Sequence, residues 1–269
     1  MTLPEVTATW LGAATVLLRV GALSLLTDPA LDPADQEQVF HVPGSDIPIP
    51  LRRTSDPVLP PGGLPRLDAV LLSHDEHADN LDARGRAVAA GAGRILTTPS
   101  GARRLGGRAE GLERWASVEL ERAGTRVRVT ATPARHGPAG MEAVVGDVTG
   151  FVVEIEGLAR AVYISGDTVL HDDLTAVGRR FAIGPALLHL GRARFDLTGP
   201  TCYSLSGADG VALAADLGAT ALLPVHHEGW VHFSEPAVGL ERALRGSPVP
   251  VLWPTPGVPV DLRPAMAGG

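Results

Sequence analysis

Two histidines and several carboxylates lie within ten residues in the segment Ser73-His74-Asp75-Glu76-His77-Ala78-Asp79-Asn80-Leu81-Asp82. It follows the apolar run 67–72, which predicts a buried strand, and precedes the Ala-rich segment 81–92, which has helical spacing. Imidazole and carboxylate groups are suitable ligands for zinc, manganese or iron. Capping of the next helix would account for Asp79 or Asn80 but not for His74 and His77 at a strand end. The stretch therefore predicts metal ligands at the end of a strand.

Three further candidate ligands each follow a strand-like run. His136 follows 125–131, Asp167 follows 161–165, and His226 follows 221–225. Each has an ordinary interpretation on its own, as a loop histidine, a turn former after a glycine, or a histidine of the core or surface. Their shared position favours a common site, because functional residues gather where loops leave one edge of a scaffold.

The order of these motifs resembles the metallo-β-lactamase superfamily: Ser-His-x-x-His-x-Asp-Asn (73–80), Ala-Arg-His (134–136), Ser-Gly-Asp-Thr (165–168) and Pro-Val-His (224–226). The resemblance is greatest to the branch that contains L-ascorbate-6-phosphate lactonase and N-acyl phosphatidylethanolamine phospholipase D. The segments Thr-Trp-Leu-Gly-Ala-Ala-Thr (9–15) and Leu-Thr-Asp-Pro (26–29) are also similar to that branch. The resemblance implies an α/β fold of the αββα type, with two back-to-back mixed β-sheets, helices on both outer faces and metals at one edge.

The resemblance also implies one or two divalent metal ions, with zinc as the first choice and manganese or iron as alternatives. By position, the implied ligands are His74, His77 and His136 for the first ion, Asp79 and His226 for the second, and Asp167 as a bridge. A metal-activated water would be the nucleophile, since two cations about 3.5–4 Å apart lower the pKa of a shared water. Asp79 is the predicted catalytic residue, because it could orient that water or take its proton.

The sequence departs from the usual family motif, His-x-His-x-Asp-His, at two places. One residue is inserted between His74 and His77, and alternate residues of an extended chain share a face. The loop is therefore predicted to bulge or turn helically at 75–76, and Glu76 becomes a reserve ligand. Asn80 stands where a histidine is usual and is a second, weaker reserve ligand, so the number of ions stays open between one and two.

Three residues near these motifs are candidates for substrate binding. Trp230 is expected to line the pocket, and His232 either to bind an anionic group or to replace a missing ligand, with simple packing as the alternative for both. Arg135 is expected to meet a phosphate or carboxylate, with a solvated surface arginine as the alternative. The other histidines and the single cysteine give no clear functional signal: His41, His171 (expected at the surface), His189 and Cys202.

The length allows one large α/β domain or two small ones, and one domain over residues 1–269 is predicted because no linker divides the sequence. The composition, with 45% hydrophobic residues and a formal charge of −7, is typical of a globular protein. Residues 30–65 are dense in proline and are interpreted as a long loop inserted near the active-site edge. No run approaches the roughly 18 apolar residues of a membrane span. One cysteine and no evident signal peptide favour a cytoplasmic location. Scattered arginines argue against a nucleic-acid partner, and the resemblance allows a homo-oligomer.

The leading functional hypothesis is a hydrolase that cleaves an ester, lactone or phosphodiester bond of a small-molecule substrate with a metal-activated water. A second hypothesis is an iron-dependent oxidoreductase of the same fold, since one iron held by two histidines and a carboxylate would suit a weakened second site. A third is a non-catalytic member that only binds a ligand, and Asn80 is the residue that supports it. Metal content separates the three.

Overall fold

The computed structural model describes residues 3–34, 37–41, 48–59 and 63–267. In the first half of the chain the elements are β1 (Val6–Gly12), β2 (Thr15–Val20), β3 (Leu23–Thr27), β4 (Glu37–His41), β5 (Pro48–Arg52), β6 (Ala69–Leu71), α1 (Ala83–Gly91), β7 (Arg94–Thr97), α2 (Pro99–Leu105), β8 (Ala109–Gly111), β9 (Ser117–Arg122) and β10 (Thr125–Thr132). In the second half they are α3 (Glu142–Val145), β11 (Gly150–Ile155), β12 (Ala161–Ile164), α4 (Thr175–Arg180), β13 (Ile183–His189), α5 (Gly207–Asp216), β14 (Ala221–Val225), α6 (Ala237–Arg245), β15 (Pro259–Asp261) and α7 (Arg263–Met266).

The strands form two large mixed sheets. The first has the order β15-β1-β2-β3-β6-β7-β8 and the second the order β14-β13-β12-β11-β10-β9. Antiparallel neighbours such as β1 and β2 follow each other through short turns, whereas parallel neighbours need a crossover. Helices α1 and α2 provide the crossovers from β6 to β7 to β8, and α4 and α5 those from β12 to β13 to β14.

Each sheet buries both of its faces. In β11, Phe151 and Val153 pack between the sheets with Trp10 of β1, whereas Val152 packs on the outer face. This alternation follows from the pleat of a strand, which points successive side chains to opposite faces. The apolar core between the sheets therefore fixes how the two sheets face each other.

Helices cover the outer faces. On the second sheet, α4, α5 and α6 contribute Val177, Leu213 and Leu240 to one buried cluster. On the first sheet, Ala89 of α1 packs with Val70 of β6. The structure therefore confirms the predicted αββα fold, with two mixed sheets between layers of helices. Among the described residues, no helix is long and apolar enough to cross a membrane.

A tight turn divides β1 from β2. The chain turns after Gly12, which has φ 117°, a value that residues with a Cβ rarely adopt. The carbonyl of Ala13 in this turn accepts hydrogen bonds from Trp10 Nε1 and from the backbone nitrogen of His226, both at 2.8 Å. The turn thus joins the first sheet to the loop that follows β14.

The Pro-rich segment 30–65 is not a loop throughout, because β4 and β5 pair as an antiparallel ribbon. Ile49 and Leu51 of β5 are buried and alternate with exposed neighbours, two of them prolines. Proline is tolerated at a free strand edge, where its missing N–H is not needed, so the prolines concealed a strand. Residues 35–36, 42–47 and 60–62 of this segment lie outside the described residues.

Helix α1 starts at a side-chain cap, whereas α6 does not. The N-cap of α6 is Pro236, and the nearby Ser234 hydroxyl donates to the Arg192 carbonyl at 2.6 Å. Helix α1 begins after Asp82, whose Oδ1 accepts from Gly85 N at 2.8 Å. Because Asp82 is the cap, Asp79 and Asn80 are not needed for capping.

Candidate metal centre

The motif residues meet where loops leave strands of both sheets. Residues 73–82 follow β6 of the first sheet, whereas His136, Asp167 and His226 follow β10, β12 and β14 of the second. His226 comes directly after β14 with φ 56°, a left-handed conformation that turns the chain sharply. The site therefore lies at the shared edge of the sheets, and each sheet supplies part of it.

Three imidazole rings form the first cluster. His74 Nε2 and His136 Nε2 each lie 3.0 Å from His77 Nδ1. A tetrahedral ion bound at about 2.0–2.1 Å separates its ligand atoms by roughly 3.3 Å. The spacing of these three nitrogens is close to that value, so the cluster fits a divalent ion.

Neighbouring oxygens orient two of these rings. Ser73 Oγ lies 2.9 Å from His74 Nδ1, and the Tyr203 carbonyl oxygen lies 2.6 Å from His136 Nδ1. A carbonyl can only accept, so Nδ1 of His136 carries the proton and Nε2 keeps its lone pair for a metal. Burial lowers the pKa of His74 well below its usual value and that of His77 to about 3, assisted by the neighbouring imidazoles. The rings of His74 and His77 are therefore neutral, as metal ligation requires.

The insertion in the motif produces a bend at 75–76, and the bend turns the reserve ligand Glu76 away from the histidines. Glu76 forms an ion pair with Arg104, which also binds Asp75 Oδ1 at 2.6 Å. The structure therefore does not bring Glu76 into the cluster, because the arginine of α2 satisfies its carboxylate.

Asp79 is the centre of a second cluster. His232 Nε2 lies 2.9 Å from Asp79 Oδ2, and His226 Nε2 lies 3.2 Å from the same oxygen. All three residues are buried. Burial alone would raise the Asp79 pKa, but His232 and His226 outweigh burial and hold the pKa well below its usual value. Asp79 is therefore an ionised carboxylate facing two imidazoles.

Asp167 connects this cluster to a histidine that sequence reasoning missed. His189 Nδ1 lies 2.9 Å from Asp167 Oδ1, and His226 Nδ1 lies 3.3 Å from the same atom. His189 is the last residue of β13, inside an apolar run, so it resembled a core residue in the sequence. The only signal was its position at a strand end, shared with the other candidates. Asp167, His189 and His226 are also spaced to hold an ion.

The Asn80 amide lies between the two carboxylates. In the orientation that satisfies its hydrogen bonds, its nitrogen is 3.3 Å from Asp79 Oδ1 and 3.2 Å from Asp167 Oδ2. An amide nitrogen donates to carboxylates and cannot ligate a cation. Asn80 therefore lies at contact distance from both Asp79 and Asp167.

A cavity of about 270 Å³ opens above the clusters, and His77, Asp79, His136 and His232 line it. The rest of its lining is mostly apolar and includes Phe40, Ile49, Leu51, Met141, Phe195 and Tyr203. Two of these, Ile49 and Leu51, belong to β5 of the Pro-rich segment. No arginine is among the described residues that line the cavity. The cavity therefore has histidine and aspartate side chains that could bind a metal, and its other walls are apolar and suit an uncharged group.

The structure corrects two of the three expected substrate contacts. His232 lines the cavity, but Trp230 packs with Ile49 and Leu51 in a buried cluster, with the Arg53 guanidinium 5.8 Å from its ring. Arg135 lines a neighbouring cleft of about 670 Å³, which shares His136 with the cavity. The backbone nitrogen of Arg135 donates to Thr168 Oγ1 at 3.0 Å, so a contact with a distant loop holds this residue.

Of the described residues for which the sequence predicted no function, His189 is the one that the structure brings into contact with the site residues. His171 is partly buried and lines the same cleft as Arg135. Cys202 is partly buried, and its sulfur accepts from Arg192 Nε at 3.3 Å. The side chain of His41 lies outside the described residues.

The chain is similar to several known proteins. A metal-dependent hydrolase of Methanoregula boonei is 30% identical over 145 residues, which are 52% of this chain and 60% of that protein, less than two thirds of its length. A metal-dependent hydrolase of Methanosphaerula palustris is 27% identical over 70% of this chain and 82% of that protein. Isothiocyanate hydrolase from Delia radicum gut bacteria has a similar structure, with a TM-score of 0.75, 23% identity, and coverage of 96% of this chain and 99% of that chain. The model of the beta-lactamase superfamily domain matches residues 24–227, and the chain therefore belongs to this superfamily.

Proposed function

We propose that this protein is a metal-dependent hydrolase that directs a water molecule onto an ester or lactone bond of a small, uncharged substrate. One observation carries the proposal: imidazole and carboxylate donors converge at the base of an apolar cavity. The name metal-dependent hydrolase, which the relatives share, supports the general class.

The first ion would be held by His74, His77 and His136, and a second by Asp79 and His226 with Asp167 beside them. The first ion would have three imidazole donors, and the second a mixed set of imidazole and carboxylate donors. Both sets favour zinc over calcium or magnesium. Manganese and iron accept the same donors and are alternatives. Bound ions would supply Lewis-acid activation of water and of the attacked carbonyl group.

Asp79 is the residue that we propose for proton handling. It lines the cavity, it is ionised, and its Oδ2 faces two imidazoles. A carboxylate at this position can orient a water molecule and accept its proton during attack. The apolar walls would hold the carbon skeleton of the substrate and keep bulk water from the reacting bond.

The cavity favours an ester or lactone over a phosphodiester. Phosphate recognition relies on arginine or lysine, and the described lining of this cavity carries neither. An isothiocyanate, the substrate named for one structural neighbour, is also a small uncharged group and belongs in the test panel. The motif order supports a place near the branch of L-ascorbate-6-phosphate lactonase and N-acyl phosphatidylethanolamine phospholipase D. A cytoplasmic location, supported by the single cysteine, completes the proposal.

The test measures metal content and hydrolysis on the same preparations. Zinc, manganese and iron are counted by mass spectrometry, and turnover is followed on neutral aryl esters, lactones, an isothiocyanate and a bis-aryl phosphate. The variants are His77→Ala and, as a matched control, His171→Ala, which changes a partly buried histidine that does not line the cavity.

We expect zinc-dependent hydrolysis of the neutral esters or lactones, reduced by His77→Ala roughly 1,000-fold or more and unchanged by His171→Ala. Iron together with oxygen uptake would replace the proposal with the oxidoreductase. Protein that takes up no metal even after reconstitution would contradict it and leave a ligand-binding member of the superfamily.

A further inference from the structure

We infer that His232 is a ligand of the second metal ion, which it would hold together with Asp79 and His226. The inference rests on the proposed function, because it names the donor set of that same site. In the proposed function, Asp79, His226 and the bridging Asp167 would hold the second ion, and Asn80 stands where the resemblance implies an imidazole. An imidazole that replaces the missing one must lie at ligand spacing from Asp79.

His232 has the required distance. Its Nε2 lies 2.9 Å from Asp79 Oδ2, and His226 Nε2 lies 3.2 Å from that oxygen. In the first cluster, the corresponding spacings around His77 Nδ1 are both 3.0 Å. Each cluster therefore has one central donor atom with two imidazole nitrogens at ligand spacing around it.

The His232 ring is held in place before any ligand arrives. It stacks on Phe195 with ring centroids 5.2 Å apart, and its edge meets Phe233 at 4.7 Å. Its carbonyl accepts a hydrogen bond from Arg194 N at 2.9 Å, and the preceding residue bonds to the Arg52 carbonyl. Only 6% of the residue is exposed. A preformed donor of this kind loses little freedom on binding an ion.

The Asn80 amide lies beside Asp79 Oδ1 and Asp167 Oδ2, and it is a weaker donor than an imidazole. His226 and His232 both come from the loop after β14, six positions apart in the chain. One loop would therefore supply both imidazoles of the second ion, while the first ion takes its imidazoles from two separate loops.

The test is a zinc titration of the whole protein and of His232→Ala, with stoichiometry from mass spectrometry and affinity from competition with a chelating dye. Cobalt substitution adds a spectroscopic readout of the ligand set. We expect about two zinc equivalents in the parent protein and about one in His232→Ala, with the second ion weakened at least about 100-fold and its cobalt absorption lost. His232→Asn gives the same test if the alanine variant does not fold.

A compensating variant makes the test sharper. Asn80→His combined with His232→Ala places an imidazole beside Asp79 again, and we expect it to restore the second equivalent. Two tightly bound ions in His232→Ala would overturn the inference and leave His232 as a hydrogen-bond partner of Asp79. One ion in the parent protein would overturn it while the proposed function stands, and no ion would overturn both.

Discussion

At the scale of single residues, Asp167 is held by a buried chain of polar groups. His189 lies between two carboxylates, with Nδ1 2.9 Å from Asp167 Oδ1 and Nε2 3.8 Å from Asp28 Oδ2. Asp28 is fixed in turn, because its Oδ1 accepts from Ser73 N at 2.7 Å. The arrangement links the ligand loop that starts at Ser73 to the carboxylate of a neighbouring loop.

From this arrangement we predict that His189→Ala weakens zinc binding about 10- to 100-fold without removing any proposed ligand. Loss of the ring frees the Asp167 carboxylate to turn and leaves the buried Asp28 oxygen without its neighbour. The measurement is a zinc competition titration, with His171→Ala as the histidine control. Unchanged affinity in His189→Ala would show that Asp167 keeps its position without the histidine.

Residue by residue, sequence reasoning succeeded where a side chain follows a strand end and failed where the direction of a side chain depends on a distant contact. The gathering of His74, His136 and Asp167 at one edge follows from strand order in the motif. Glu76 could not be placed, because its partner Arg104 lies on a later helix. His189 was missed, because burial in an apolar strand looks the same in sequence for a core histidine and a functional one.

At the scale of elements, Arg53 attaches the β4–β5 ribbon to the rest of the molecule. Its side chain is 1% exposed, and it donates to the Ala30 and Ser55 carbonyls at 2.7 Å each. Its guanidinium also lies 3.6 Å from Asp82 Oδ2, the residue that caps α1. The ribbon supplies Phe40, Ile49 and Leu51 to the cavity wall. One buried arginine therefore positions this part of the wall.

We predict that Arg53→Ala lowers the free energy of unfolding by about 3 kcal/mol, because it leaves a buried carboxylate and two carbonyls without their partner. Arg53→Lys should recover little, since an ammonium cannot reproduce the planar set of donors. Urea unfolding measures both variants. The exposed neighbour gives the control, and Arg52→Ala should change stability by about 0.5 kcal/mol or less. Equal effects at positions 52 and 53 would contradict this account.

At the scale of the whole molecule, the two sheets share one core and one site. Apolar runs predicted individual strands, whereas the layered two-sheet fold was expected from the family resemblance of the motifs. Sheet order is not local, since β15 pairs with β1 across almost the entire chain, with Thr7 opposite Asp261. The ribbon at β4 and β5 was hidden by its prolines. Fold class was therefore predictable from sequence, whereas the neighbours of each strand were not.

The proposed ions would join the two sheets, because the first cluster takes His74 and His77 from a loop of the first sheet and His136 from a loop of the second. A ligand that binds only the folded state stabilises it by about 2.7 kcal/mol at 100 times its Kd. Zinc should therefore raise the melting temperature of metal-stripped protein by roughly 5–10 °C. Calorimetry with and without zinc measures this shift, and His77→Ala should abolish most of it while His171→Ala keeps it. An ion that binds only the folded protein must raise its melting temperature. The same melting curve in the presence and absence of zinc would therefore mean that no zinc ion connects the two sheets.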